Sequence, residues 1–154
     1  MLYFYKNKLI TVDFIVSSNW DPHTSSNINT IEMVQRKAAR FVMNNWSRLS
    51  SVTSMINLLE WTTLQVRRQQ AKIVMLYRIS HSLVAIPFTI PYFIPAAHHG
   101  RGHSQKLQQP ATRINTYKYS YFPSVVPLWN SLDQSIVGAP TITTFKERLK
   151  HHQF

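Results

Sequence analysis

The chain has 154 residues, with 17 lysines and arginines against 6 aspartates and glutamates, giving a formal net charge of +11 and a pI near 10.3. A hydrophobic share of 44% with only three glycines excludes wholesale disorder, and the length suits one ordinary domain or two small subdomains. The absence of cysteine excludes disulfides and thiolate metal sites, while the charge excess points to phosphate backbones and anionic surfaces as partners.

The N-terminal stretch "MLYFYKNKLITVDFIVSSNW" is apolar, but Asp13 breaks its run after residues 9–12, so it does not read as a signal peptide. No segment approaches the roughly 18 uninterrupted apolar residues of a membrane span. The expectation is an intracellular chain, nuclear or cytoplasmic, not secreted and not membrane-bound, with an N-terminus cut from something larger.

In "IEMVQRKAARFV", residues 31–42, the wheel gathers Ile31, Val34, Ala38, Phe41 and Val42 on one arc, with Arg36, Lys37 and Arg40 opposite. The spacing predicts a helix with a core-facing apolar side, a Glu32–Arg36 i,i+4 pair and a capping box from Asn29 to Glu32. Ser25 or Asn27 could start it earlier. "SSVTSMINLLEW" predicts a short helix capped by Ser50 or Ser51, packing Val52, Met55, Ile56 and Leu59. "TTLQVRRQQAKIVMLYRISHSLV" predicts a third helix, with Thr62 and Thr63 as cap candidates. Its later part, residues 71–79, is apolar on nearly every side, as a central helix would be. Together these predict a small bundle.

Prolines 87, 91 and 95 then recur every four residues in "IPFTIPYFIPAAHHGRG", which favours an extended path and reads as a linker. In "INTYKYSYF", Tyr117, Tyr119 and Tyr121 alternate with Lys118 and Ser120, so an extended segment would carry one aromatic face; a short strand or hairpin is allowed between residues 104 and 119. "FPSVVPLWNSL" predicts a helix entered at Pro123, with Val126, Trp129 and Leu132 inward. "APTITTFKERLKHH" predicts a last helix capped by Thr141 and packing Ile142, Phe145 and Leu149.

Two-metal chemistry needs clustered carboxylates. Asp13, Asp21, Asp133, Glu32, Glu60 and Glu147 are scattered, and no phosphate loop, dinucleotide turn or nucleophile elbow is present, so the chain is expected to be no enzyme and to hold no cofactor. His98, His99 and His103 are the one candidate metal cluster. Three imidazoles without cysteine fall short of the usual four zinc ligands, and a polar loop is the simpler reading. The candidate nucleic-acid-binding set is Arg36, Lys37, Arg40, Arg67, Arg68, Lys72, Arg101, Lys106, Arg113 and Lys118, basic residues in a chain poor in acids. The interleaved tyrosines could stack on bases, although alternation is also what a half-buried strand requires. Arg67 and Arg68 fit a phosphate contact and a solvated helix face equally well.

These residues carry a resemblance. "NWDPHTSSNINTIEMVQRKAARFV" resembles the segment that follows the polymerase core in jockey-like non-LTR retrotransposon reverse transcriptases, where a Trp-Asp-Pro stretch precedes a helix of Ile-Glu-x-Val-Gln-Arg-Arg-Ala-Ala-Arg-Phe-Val type. The likeness continues through "SSVTSMINLLEWTTLQVRRQQAKIVMLYRI", "RGHSQKLQQPATRINTYKYSYFPSVVPLWNSL" and "APTITTFKERLK", covering residues 17–150. Thr62-Thr63-Leu64-Gln65 stands where Pro-Ser-Leu-Glu is common, and Asp133 where a proline is common. The resemblance implies the end of a thumb and the region after it, without the palm aspartates of an RNA-directed DNA polymerase and without an endonuclease domain. A basic thumb helix would then grip RNA, DNA or their hybrid through phosphates.

The expected architecture is mainly α: a divergent segment at 1–19, a thumb-like helical bundle at 20–85, a Pro/His/Gly-rich linker at 86–103, and a short mixed C-terminal region at 104–154 with two helices and room for a small hairpin. The expected function is that of a non-catalytic reverse transcriptase fragment with sequence-independent nucleic-acid affinity, partnered in its parent by polymerase domains missing here. The alternative is a degenerate structural or protein-interaction module.

Overall fold

A computed structural model of the chain describes residues 21–84, 94–96, 102–152 and 154. The described residues are mainly helical, as expected, with seven helices and no strand among them: α1 (Ser25–Val42), α2 (Val52–Leu58), α3 (Leu64–Ser80), α4 (Asn115–Lys118), α5 (Tyr121–Asn130), α6 (Gln134–Val137) and α7 (Ile142–Lys150). The Pro-rich stretch lies mostly outside the described residues. The chain forms two compact units, Met1–Arg68 and Gln69–Phe154, and the division falls inside α3.

In the first unit α1 packs against α2. Helix α1 starts at Ser25, after Thr24 in extended backbone, so the earlier of the foreseen starts is the one adopted and Asn29 lies inside the helix. Its buried residues are Gln35 and Ala39, flanked by half-buried Ile28, Ile31, Glu32, Ala38 and Val42. At 100° per residue this face is rotated by roughly 70° from the apolar arc of the wheel. Phe41 and Val34, expected in the core, are 70% and 63% exposed. The reason is polar: Gln35 donates its amide to the Thr62 carbonyl at 2.7 Å. The Glu32 carboxylate accepts the N–H groups of Gln65 at 2.9 Å and Leu64 at 3.4 Å. Glu32 thus caps the first turn of α3, where unsatisfied N–H groups and the helix dipole favour an anion, and the foreseen Glu32–Arg36 pair yields to this tertiary one. Thr63 adds its hydroxyl to the same turn, accepting the Val66 N–H at 3.3 Å. Ser51 caps α2 by accepting the Ser54 N–H, and Met55 is that helix's buried residue.

Helices α1, α2 and α3 share one ending. Asn45, Trp61 and Leu83 return their N–H groups to the carbonyls of Arg40, Ile56 and Arg78, and Asn44, Glu60 and Ser82 return theirs to Phe41, Asn57 and Ile79. This paired pattern requires left-handed backbone at the residue just past each helix. Asn44, Glu60 and Ser82 supply it at φ of 47°, 53° and 55°, where glycine is usual.

In the second unit the core is built from Ala71, Ile73, Val74, Leu76 and Tyr77 of α3, from Val125, Val126 and Trp129 of α5, and from Phe145 and Leu149 of α7. Tyr77 stacks on Phe145 with centroids 4.2 Å apart and donates its hydroxyl to the Ala139 carbonyl at 2.7 Å. Thr141 caps α7 through the Thr144 N–H, as its sequence indicates. Helix α5 starts at Tyr121, two residues before the entry expected at Pro123, and buries Val126 and Trp129, with Leu132 buried just past its end. It runs through Pro127, whose ring faces outward.

The hairpin allowed between residues 104 and 119 is replaced by one isolated antiparallel bridge, Pro95 with Leu107. Tyr117 lies in the single turn of α4 and Tyr121 opens α5, so the alternation of tyrosines builds no flat aromatic face. Helical backbone turns successive odd residues by about 200°, whereas a strand would align them.

Candidate nucleic-acid interface

The basic residues divide by what their side chains already hold. Arg36 and Lys37 are exposed on α1. Arg40, from the same stretch, is half-buried, and its guanidinium donates to the Ser47 carbonyl at 2.8 Å and the Asn45 carbonyl at 3.4 Å. It closes the turn between α1 and α2, so its donors are spent on backbone rather than offered to a phosphate.

Arg68 is buried, 3.2 Å from Asp21 and 3.8 Å from Glu32. A buried guanidinium between two carboxylates has its charge answered inside the protein, which removes Arg68 from the phosphate-binding set. The same arrangement brings together two acids that lie far apart in sequence, around a cation that occupies their centre. Arg67 is half-buried and donates from Nε to the Thr62 hydroxyl at 3.3 Å.

Lys72 is also buried, with its ammonium donating to Ser124 Oγ at 2.9 Å. It leaves the candidate set for the same reason. Tyr121 donates to the Lys72 carbonyl at 2.9 Å, and burial pushes its phenol well above the usual range. That ring is half-buried and its hydroxyl is tied to the backbone of α3, so it is not held out as a platform for bases.

Arg113 and Lys118 are exposed, the latter with its ammonium 5.7 Å from the Tyr119 ring centroid. Lys106 is half-buried. Arg101 lies outside the described residues, as do His98 and His99.

His103, the third member of the candidate metal cluster, is fully buried. Its Nδ1 accepts the Gln105 N–H at 3.2 Å, so Nε2 carries the proton and donates to the Trp129 carbonyl at 2.9 Å. Both nitrogens are engaged, leaving none for a metal. Burial, opposed in part by the Trp129 carbonyl and reinforced by the Lys106 charge, holds the imidazole below its usual range. Among the described residues no three His, Cys, Asp or Glu side chains gather as metal ligands, and no described helix is long and apolar enough to cross a membrane.

One cationic group lies outside the candidate set. Burial first, then the charges of Arg78 and Lys150, hold the Lys146 ammonium below the usual lysine range. The i,i+4 spacing of Lys146 and Lys150 is legible in the sequence. Their approach to Arg78 depends on how α3 and α7 pack. Compared with known proteins, the chain matches no family model, no curated protein and no solved structure.

Proposed function

We propose that the chain is a non-catalytic fragment of a jockey-like non-LTR retrotransposon reverse transcriptase that keeps a sequence-independent grip on nucleic-acid phosphates. The observation that carries the reading is the exposure of Arg36 and Lys37, side by side on α1 of a chain with net charge +11. Exposed adjacent cations can meet a backbone without breaking an internal pair. In the parent family the enzyme is an RNA-directed DNA polymerase, and the ordered motifs across residues 17–150 support the kinship. Duplex, single-strand and hybrid would all bind through phosphates, with α1 setting the register.

The test is binding of a labelled duplex across a salt series. Arg36→Gln and Lys37→Gln should each lower the log–log salt slope by about one unit. Arg48→Gln removes the same charge from another exposed position and is the control. Equal losses from all three would leave only the diffuse field of the chain.

A second reading, a protein-interaction module, is favoured by the apolar side chains that the first unit leaves in solvent. Met33, Val34, Phe41, Trp46, Leu49 and Leu58 are all more than half exposed, an apolar surface of the kind that marks contact sites. Self-association that disappears in Phe41→Ser, together with salt-independent behaviour toward duplex, would replace the first reading with this one.

A further inference from the structure

We propose that Phe41 and Trp46 are stacking platforms for unpaired nucleobases, which makes single-stranded RNA or DNA the substrate class of the α1 surface. The proposal rests on the reading of Arg36 and Lys37 as phosphate contacts and adds to it a contact that a duplex cannot use. Both rings stand in solvent, Phe41 70% and Trp46 60% exposed. Trp129 shows how this chain treats a tryptophan of its core: it is 1% exposed and donates its indole N–H to the Gln105 carbonyl at 2.8 Å.

Hydrogen bonds hold the backbone of Trp46 at the end of α1. The Asn44 and Asn45 N–H groups return to the Phe41 and Arg40 carbonyls at 3.2 and 3.0 Å. One nitrogen of the Arg40 guanidinium then reaches the carbonyls on both sides of the tryptophan, Asn45 at 3.4 Å and Ser47 at 2.8 Å. The Ser47 N–H closes on Asn45 Oδ1 at 3.2 Å, and the Leu49 N–H on Ser47 Oγ at 3.3 Å. A ring carried on backbone fixed in this way loses little freedom when a ligand arrives. Arg40, spent as a phosphate contact, thereby becomes a positioning residue for Trp46.

The setting selects a nucleic acid. Lys37 and Phe41 are both exposed and lie one turn apart on α1, about 40° round the helix from each other. Between Glu32 and Glu60 the sequence has no acid, and the Glu32 carboxylate is engaged by the start of α3. Aromatic faces among cations, without carboxylates, match a strand whose phosphates alternate with bases. A second copy of this chain, also at +11, is repelled instead. In a duplex each base is covered by its stacked neighbours, so only unpaired nucleotides offer a face to Phe41 or Trp46. The shared chemistry is an unpaired base on a phosphodiester chain, with either sugar.

The experiment measures binding of the full chain to labelled oligouridylate, oligothymidylate and a labelled duplex. Trp46→Leu and Phe41→Leu should each lower single-strand affinity about tenfold and leave duplex affinity within about twofold. Trp46→Phe, which keeps a ring, should recover most of the loss. Both rings are exposed, so the variants should keep the helical circular dichroism of the parent chain. Leu49→Ser is the control, since Leu49 is 98% exposed on the same turn and has no ring. Losses with both oligomers assign the site to single strands of either kind, and losses with one alone name RNA or DNA. A Trp46→Leu loss no larger than that of Leu49→Ser overturns the proposal, as does an equal loss toward duplex. If the duplex then keeps a salt slope that depends on Arg36 and Lys37, only the stacking has failed. A slope indifferent to both cations is the separate failure of the phosphate reading.

Discussion

Removing the Glu32 carboxylate should loosen the start of α3 more than any surface substitution of a glutamate would. Three interactions end together. The 2.9 Å bond from the Gln65 N–H is a tertiary version of a helix cap, worth about 1 kcal/mol. The negative charge at the α3 N-terminus adds about 0.5 kcal/mol through the helix dipole. The contact with Arg68 at 3.8 Å adds about 1 kcal/mol, well below a fully broken buried pair, because Asp21 remains at 3.2 Å. Glu32→Ala should therefore cost about 2.5 kcal/mol, and Glu32→Gln, which keeps an acceptor but loses the charge, about half as much. Urea denaturation followed by helical circular dichroism measures the totals. Hydrogen exchange localises them, since the amides of Leu64 and Gln65 should lose protection first. A loss for Glu32→Ala below a few tenths of a kcal/mol, or unchanged protection at those two amides, would refute the capping role.

Other perturbations test separate features. Pro127→Ala restores the N–H that the interior of α5 lacks; with an interior proline costing about 3 kcal/mol, less up to about 1 kcal/mol for the freer unfolded chain, stability should rise by about 2 kcal/mol in a denaturant titration. Glu60→Gly relieves a left-handed residue at φ 53° and should stabilise the end of α2 by about 1 kcal/mol, read as a higher unfolding midpoint. His103, held neutral, contributes its full stability above the unfolded value of about 6.5. As pH falls below that value the unfolded chain binds the proton first, so stability should drop toward the lowered folded value. Thermal melts at pH 7.5 and 5 should show a smaller loss in His103→Gln than in the parent chain.

What the sequence made legible was local. Ser51 and Thr141 are caps because a hydroxyl can reach an N–H three residues on, and that rule needs no tertiary information. The inward residues of α5 and α7 were readable for a similar reason: each of these helices packs one dominant apolar stripe. The face of α1 was not readable, because two of the positions turned toward the protein are Glu32 and Gln35, whose reward is the start of α3 rather than an apolar neighbour. A wheel that counts only hydrophobic residues rotates past them and puts Phe41 inside. The candidate interface failed in the same direction. Arg68 and Lys72 look like solvated cations until Asp21, Glu32 and Ser124 are brought to them from elsewhere in the chain. Arg36 and Lys37 read correctly as exposed because nothing distant claims them for the core.

The division of the chain within α3 governs how the protein can be dissected. A shortened polypeptide ending at residue 85, just before the proline-rich stretch, would retain all of α3 but discard Phe145, Ala139, Ser124 and Tyr121, which stack on or hydrogen-bond to Tyr77 and Lys72. Ile73, Leu76 and Tyr77 would then face water from the end of an otherwise folded helix. Such a piece would behave in the test tube as an aggregating species, and its failure would say nothing about the fold of residues 21–68. The opposite cut, just after Arg68, would leave α3 a single turn long, held by Glu32, Asp21 and the cap of Thr63 without the core of the second unit. The two halves are better studied by substitution within the whole chain than by scissors.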